Sequence, residues 1–399
     1  MTAIDVAADS PYGPHNLPYG VFSTAAEPAR RRIGVRLGDH VLDLDRAEAA
    51  ELVPAGGALR EPTLNAFMAL GPAQCGAVRA RLTELVTRPE HRRAAGELLV
   101  PLADARLHLP FEVADYVDFY SSEYHAANVG RILRPGQPPL LPNWRHLPIG
   151  YHGRAGTVVV SGTPVVRPCG QLGAGRFGPS ARLDIEAEVG FVVGVPSPIG
   201  SRVSADDLAA HVFGVVLVND WSARDIQAWE YQPLGPFLGK SFATSVSPWV
   251  VPLEALAAAR VPAPPQDPEV LDYLRGSRHE GLDLRMAVDW NGTRVSEPPF
   301  AGMYFTPAQQ LAHLTVNGAA LRTGDLFASG TVSGPERHQS GSFLELSWGG
   351  TAPVTLADGS QRTFLADGDT VTITATAPGP DGRTVGFGEV GGTVVPAVG

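Results

Sequence analysis

Between residues 182 and 194 the chain alternates strictly. Leu183, Ile185, Ala187, Val189, Phe191 and Val193 fall on one parity, and Asp184, Glu186 and Glu188 on the other. Period-two alternation rich in β-branched residues predicts a strand. A strand repeats its face every second residue, roughly 6.7 Å apart. Glu186 and Glu188 therefore point the same way, close enough to grip one cation between them. The plainer reading is a solvated strand face, where charged residues usually sit. Residues 213–220 form an apolar run ending on Asp220, which predicts a buried strand with a carboxylate at its end, where loops carry function. Ser222 and Asp225 have capping-box spacing and predict a helix start. On that helix Arg224, Gln227 and Tyr231 share a polar stripe, and Ile226 and Trp229 an apolar one.

The pattern elsewhere is strand-rich. Residues 32–45 predict a hairpin turning on Gly38-Asp39, and helical patches follow at 63–70 and 77–86. The first ~110 residues read as a small, mostly β unit with a helical insertion. At 115–130, an extended 116–120 would put Asp118 and Tyr120 on one face. Ser122 then predicts an N-cap with Glu123 in the first turn and Gly130 as the stop, which seats His125 one turn into a short helix. An isolated histidine is more often structural than catalytic. Residues 140–154 read as a Pro-, Gly- and aromatic-rich loop, and 157–161 as a strand. Residues 171–180, with three glycines, read as a mobile loop, and 264–267 and 281–291 as an excursion. Thr306-Pro307 opens a helix that Asn317-Gly318 closes. Residues 324–331 predict a strand running into a glycine turn. Residues 343–348 predict a strand with Glu345 on the face of Phe343 and Ser347, and 371–376 and 385–395 predict further strands. No internal repeat or low-complexity tract is evident.

Composition narrows the function. The 399 residues suffice for two domains and large cores. With 45 glycines and 36 prolines, the chain favours turns and sheets over a helical bundle. A net charge of −10 argues against nucleic acid or an anionic membrane as the main partner. An anionic substrate would need a local positive pocket, for which Arg134, Arg224 and Lys240 are candidates. Two cysteines support neither a disulfide framework nor a zinc site. Residues 1–10 lack a basic and an apolar targeting region, and no run approaches the ~18 apolar residues of a membrane span, so a cytoplasmic protein is expected. Among 31 basic side chains, Lys240 is the one lysine. A compact, titratable ammonium does not interchange with a guanidinium, so Lys240 is read as chemically required. Residues 235–241 resemble a P-loop but are one residue short between glycines and follow a helix. Residues 239–243 are an incomplete nucleophile elbow.

Several long strings are more specific. Asp-Phe-Tyr-Ser-Ser at 118–122, Leu-Pro-Asn-Trp at 141–144 and Gly-Tyr-His-Gly-Arg at 150–154 are joined by Asn-Asp-Trp-Ser-Ala-Arg-Asp-Ile-Gln at 219–227 and Pro-Leu-Gly-Pro-Phe-Leu-Gly-Lys-Ser-Phe at 233–242. Together they closely resemble the fumarylacetoacetate hydrolase family over essentially the whole chain. The resemblance implies a mainly β (α+β) fold. A small N-terminal SH3-like β-barrel domain at 1–112 would precede a large C-terminal mixed β-sandwich or β-roll domain with few helices at 113–399. It implies hydrolysis of the carbon–carbon bond of a β-diketone acid, 4-fumarylacetoacetate and water giving fumarate and acetoacetate, in tyrosine and phenylalanine breakdown.

By the same resemblance, Asp118, Glu186, Glu188 and Asp220 are the cation ligands, and an all-carboxylate set suits hard Ca²⁺ or Mg²⁺. Lys240 and Thr244 are counted with the metal residues, Thr244 near a second ion site, beside which Ala243 stands where glycine is expected. His125 matches the general base and Glu345 its orienting carboxylate, with Arg224, Gln227 and Lys240 as the polar cluster. Tyr120, Arg134, Tyr151, Gln227, Tyr231 and Thr331 match substrate contacts. The family suggests a homodimer, which nothing in the residue pattern alone requires. Rival readings are a related metal-dependent keto-acid decarboxylase, isomerase or hydratase, and a non-enzymatic Ca²⁺-binding β-sandwich. The latter would leave Lys240, His125 and Glu345 idle.

Overall fold

A computed structural model describes residues 6–398. The reading of residues 1–10 therefore falls partly outside the described residues. The backbone is organised by one large sheet. Its path runs Leu99–Pro101, His40–Asp43, Glu27–Leu37, Tyr19–Thr24, Trp249–Pro252, Val212–Asp220, Ala187–Val193, Leu326–Ala328, Tyr116–Phe119 and Gly150–His152. Thr244–Val246 pairs with the Val212–Asp220 strand on one side and, in parallel, with Val158–Val160 on the other. A second sheet of five strands, Thr293–Ser296, Arg285–Trp290, Thr370–Pro378, Thr384–Val395 and Val165–Val166, packs against it.

The central strands are covered on both faces, and this explains their composition. Val189, Phe191, Val193, Val215 and Leu217 share a core with Met286, Val288, Trp290, Val371 and Ile373 of the second sheet. Val192, Val216 and Val218 face the opposite way. They pack with Tyr19, Val35, Leu42, Leu82 and Leu85 of the N-terminal region. Each such side chain taken fully from water contributes about 1.5–3 kcal/mol before entropy is set against it. Strands buried on both faces carry near-continuous apolar runs, as residues 213–218 do. Gly190 is the close-approach point: a Cβ there would meet Val218 at 2.7 Å and Leu326 at 2.9 Å.

The N-terminal strands do not close into a barrel. Tyr19–Thr24 pairs with Glu27–Leu37 on one edge, and with Ala105–His108 and Trp249–Pro252 on the other. The expected SH3-like barrel is thus corrected to a curved open sheet that runs into the central one. Its free edge is used by the Trp249–Pro252 strand, so closure is replaced by continuation. The hairpin at Gly38-Asp39 forms as expected, and the 77–86 patch lies within the helix Pro72–Thr87.

Other local expectations shift for identifiable reasons. The alternation at 183–193 divides into Leu183–Asp184, which pairs with Ser222–Ala223, and Ala187–Val193. Residues 343–348 begin with a helical turn, Phe343–Leu346, because Ser342 caps it by accepting from the Glu345 N–H at 3.3 Å. The glycine-rich 171–180 stretch belongs to a hairpin of Cys169–Gly173 and Arg176–Pro179. Residues 281–291 contain the strand Arg285–Trp290 rather than a pure excursion. The helix Arg224–Glu230 has no side-chain cap. The Ser222 hydroxyl donates to Asp220 O instead, and Trp229 stands half exposed. Among the described residues no helix is long and apolar enough to cross a membrane.

Candidate active site

Three strands carry one message on one face. Tyr116 precedes Asp118, Val192 and Gly190 precede Glu188 and Glu186 in reverse chain direction, and Val216 and Val218 precede Asp220. In each case the tyrosine or valines pack with the N-terminal core, and the acid follows at a two-residue step, where that cover ends. Pairing puts the rows in register. Asp118 lies opposite Ala328 and Tyr151, Ala328 opposite Gly190, Glu188 opposite Val218, and Asp220 opposite Thr244. The result is a tight acidic cluster. Asp118, Glu186, Glu188 and Asp220 each offer a carboxylate oxygen, all within 4.8 Å of one another. All four are buried, at 3, 5, 0 and 1% exposure, which removes the solvated-face reading of Glu186 and Glu188.

Part of this negative charge is answered by the chain itself. Lys240 Nζ donates to Asp220 Oδ2 at 2.6 Å and also to Glu186 Oε2. Arg224 Nη1 lies 2.7 Å from Glu186 Oε1, and its Nε donates to Asp184 Oδ2 at 2.8 Å. Gln227 Oε1 accepts from Arg224 Nη1 at 3.1 Å, Tyr151 donates to Asp220 Oδ2 at 3.2 Å, and Thr244 donates to Asp220 Oδ1 at 3.2 Å. Burial would raise the Glu186 pKa, but Lys240, Arg224 and His125 pull it below the usual carboxylate range. For Lys240 burial favours loss of the proton, yet Asp220 and Glu186 outweigh it and hold the amine above its ordinary value. Lys240 is thus a fixed ammonium.

The rest is unanswered. Both Glu188 carboxylate oxygens and Asp118 Oδ1 are buried with no hydrogen-bond partner among the described residues. Burial, then the neighbouring acids, raises the pKa of Glu188 and of Asp118 well above the ordinary value. Desolvated carboxylates without partners cost several kcal/mol each. An oxygen-seeking divalent cation is the group that such a set fits, since hard ions bind carboxylate oxygens.

A second constellation abuts the first. The helix Glu123–Leu133 is capped by Ser122, as expected, and runs past Gly130. It holds His125 so that Nδ1 meets Glu345 Oε2 at 2.6 Å while Nε2 lies 3.8 Å from Glu186 Oε1. Glu345 also accepts from Asn128 Nδ2 at 3.0 Å, Ser333 Oγ at 3.0 Å and Ser342 Oγ at 2.8 Å. Burial opposes its ionisation, but His125, Asn128 and Ser342 win and hold its pKa low. An anionic Glu345 bound to Nδ1–H leaves Nε2 as the lone-pair nitrogen, turned toward the acidic cluster. The Tyr120 ring meets the His125 ring edge-on at 5.3 Å.

The remaining expected residues are less tightly drawn in. Thr331 is buried with its hydroxyl unpartnered, and Arg134 donates from Nη2 to Pro139 O at 3.1 Å while its Nε is buried and unpartnered. The Tyr231 hydroxyl accepts from Gln232, and no hydrogen bond among the described residues ties it to the cluster. Sequence reading missed the supports. Asp184, fully buried, binds Arg224 and the backbone N–H groups of Phe343 and Leu344. Its shared parity with Glu186 and Glu188 was the available signal. Asn128, Ser333 and Ser342 gave no signal, because only the fold brings them to Glu345.

Comparison with known proteins agrees with this geometry. Residues 116–395 match the family described as fumarylacetoacetate (FAA) hydrolase C-terminal, and residues 15–110 the family described as fumarylacetoacetase N-terminal. The chain is 48% identical to the Homo sapiens fumarylacetoacetase over 418 aligned positions, covering 100% of this chain and 99% of that protein. It is 44% identical to the fumarylacetoacetase of Oryza sativa subsp. japonica, covering 99% and 97%. Among solved structures, a fumarylacetoacetate hydrolase from psychrophilic Exiguobacterium antarcticum superposes with a TM-score of 0.56 at 17% identity, over 95% of this chain and 99% of that one. A maleylpyruvate hydrolase from Sphingobium superposes with a TM-score of 0.53 at 17% identity, over 95% and 100%. At such identities these two likenesses speak for the fold. The family matches and the full-length relatives speak for descent, and the chain belongs to the fumarylacetoacetate hydrolase family.

Proposed function

We propose that this protein is a fumarylacetoacetase, cleaving 4-fumarylacetoacetate with water to fumarate and acetoacetate in aromatic amino-acid breakdown. The observation that carries the reading is the adjacency of two constellations: four buried carboxylates with unanswered charge, and a His125–Glu345 pair whose free nitrogen faces them. Full-length identity of 48% to a protein of that name supports it.

Asp118, Glu186, Glu188 and Asp220 would hold a hard cation, Ca²⁺ or Mg²⁺, with Lys240 and Thr244 at the edge of the site. When bound, such an ion supplies Lewis-acid polarisation of the diketone carbonyl. The chain's own residues supply the rest. Glu345 fixes the imidazole tautomer through Nδ1–H and favours the imidazolium. His125 Nε2 accepts the proton of the attacking water, the general-base role at a stated atom. Lys240, held protonated, and the Arg224–Gln227 pair present preorganised positive charge to the developing oxyanion. The same imidazolium then returns its proton to the departing acetoacetate carbon. Tyr120, Arg134, Tyr151, Gln227, Tyr231 and Thr331 line up the substrate. The protein's −10 net charge makes such local cations necessary for a dianionic substrate.

A homodimer, a cytoplasmic location and a division at 112/113 complete the proposal. The division is supported by the two core clusters, one of them dominated by N-terminal residues. The test is ultraviolet loss of the diketone chromophore, with oxaloacetate as the competing substrate. Turnover of fumarylacetoacetate, abolished by EDTA and restored by Ca²⁺ or Mg²⁺, is expected. Oxaloacetate loss alone would make the protein a decarboxylase of the same fold.

A further inference from the structure

A cavity of about 360 Å³ opens beside Lys240 and Asp220. Its floor is Tyr116, Tyr151, Asp220 and Lys240, and its walls are the Gly150–His152 strand with the following turn and the 236–241 segment. His125, Tyr120, Arg134 and Thr331 do not line it. The cavity thus forms a lobe that reaches the carboxylate cluster at Asp220, and of the residues proposed to line up the substrate it holds Tyr151 alone.

This lobe carries its own polar equipment. Arg154 stands on its rim, exposed, with no ion pair or side-chain hydrogen bond among the described residues. Tyr116, 2% exposed, lines the floor with its hydroxyl unpartnered. Such a buried O–H is costly unless something accepts from it. The rim is braced for its task. Gly153 lies against the Tyr116 ring, where a Cβ would meet ring carbon at 2.3 Å, and its N–H donates to Tyr116 O at 2.9 Å. Thr157 Oγ1 contacts Arg154 O at 3.2 Å and Ser241 O at 2.7 Å, tying one wall to the other. Asp220, the one acid in the lining, is already engaged by Lys240 at 2.6 Å. The lobe thus offers an unpaired guanidinium and an unpartnered buried O–H, the complement of a carboxylate.

We propose that Arg154 and Tyr116 bind one of the two terminal carboxylates of the substrate, and that Arg134, outside this cavity, binds the other. This rests on the proposed function. A β-diketone gripped at the cluster sends its two ends in opposite directions. Each end of a dicarboxylate then needs its own cation, and a monocarboxylate needs only one. Arg154 is in this sense a specificity-determining residue.

The experiment compares 4-fumarylacetoacetate with two truncated diketones. One is 3,5-dioxohexanoate, which lacks the fumaroyl carboxylate, and the other is 4,6-dioxohept-2-enoate, which lacks the acetoacetate carboxylate. Arg154→Ala should raise KM for the dicarboxylate about ten- to a hundredfold, the range for one hydrogen-bonded charge, with kcat moved less than about threefold. The loss should persist on one truncated substrate and vanish on the other. Arg134→Ala should show the opposite selectivity, and Tyr116→Phe should follow Arg154→Ala with a smaller loss. Equal losses of Arg154→Ala on all three substrates, or none on any, would overturn the assignment. Wild-type protein inert toward all three would instead overturn the function beneath it, a result distinguishable because the variants would then have nothing to lose.

Discussion

Glu345 accepts a 2.6 Å hydrogen bond from His125 Nδ1 although 220 residues separate them in the chain. The helix at Glu123–Leu133 and the helical turn at Phe343–Leu346 meet to make this bond, and Ser333, Ser342 and Asn128 hold the carboxylate in place. Glu345→Gln should leave the fold intact by circular dichroism. It should lower kcat by about 10²–10⁴-fold, because an amide can present the wrong group to Nδ1 and cannot stabilise imidazolium. A change of kcat under threefold would leave the pair structural.

His125→Ala should keep the melting temperature within a few degrees and reduce kcat by about 10²–10⁴-fold. Its residual activity should be insensitive to Glu345→Gln in the double variant, since the carboxylate acts through the imidazole. Additive losses in steady-state kinetics would separate the two roles.

Lys240 neutralises Glu186 and Asp220 at once. Lys240→Met leaves both acids buried with less compensation and should destabilise the metal-free protein by about 3–5 kcal/mol in urea unfolding, the scale for breaking a buried ion pair. Lys240→Arg should not restore activity, because the planar fork does not replace a compact ammonium. Recovery of wild-type kcat in Lys240→Arg would show that positive charge alone suffices.

The pH behaviour follows from Asp118 and Glu188. Their ordinary values are 3.8 and 4.5, and burial and neighbouring acids raise both in the folded chain. The folded state then holds protons that the unfolded chain releases. Stability from these groups is full below about pH 4 and is lost as pH rises through the folded values. A bound cation takes the place of those protons, so the difference in melting temperature between cation-loaded and EDTA-treated protein should widen as pH rises. Glu188→Gln should raise the melting temperature of EDTA-treated protein near neutral pH while weakening cation binding. A melting difference that narrows as pH rises would contradict this.

Much of this site was legible in the chain because its signals are local or compositional. The Glu186–Glu188 spacing, Asp220 at the end of an apolar run, the single lysine and the Ser122 cap each have a physical reading at short range, and the long strings at 118–122, 150–154 and 219–242 point to the family. What escaped depends on contacts between distant segments. Phe343–Leu346 reads as strand by alternation, but its N-cap at Ser342 makes a helical turn. Trp229 reads as core by helical period, yet it stands half exposed with its indole N–H donating to Gln171, while Ile226 is buried. The resemblance implied a barrel for the N-terminal strands, but whether such a sheet closes or continues depends on the partner strand Trp249–Pro252, over 200 residues away. Asp184, Ser333 and Asn128 acquire their roles only when Arg224 and Glu345 arrive beside them.

The most direct test is a crystal structure grown with Ca²⁺, or with Mn²⁺ as an anomalous stand-in. The expected result is one strong peak at about 2.1–2.6 Å from oxygens of Asp118, Glu186, Glu188 and Asp220, absent from Glu188→Gln crystals. A map with no ion among those four side chains, from protein that keeps full turnover in EDTA, would contradict the account.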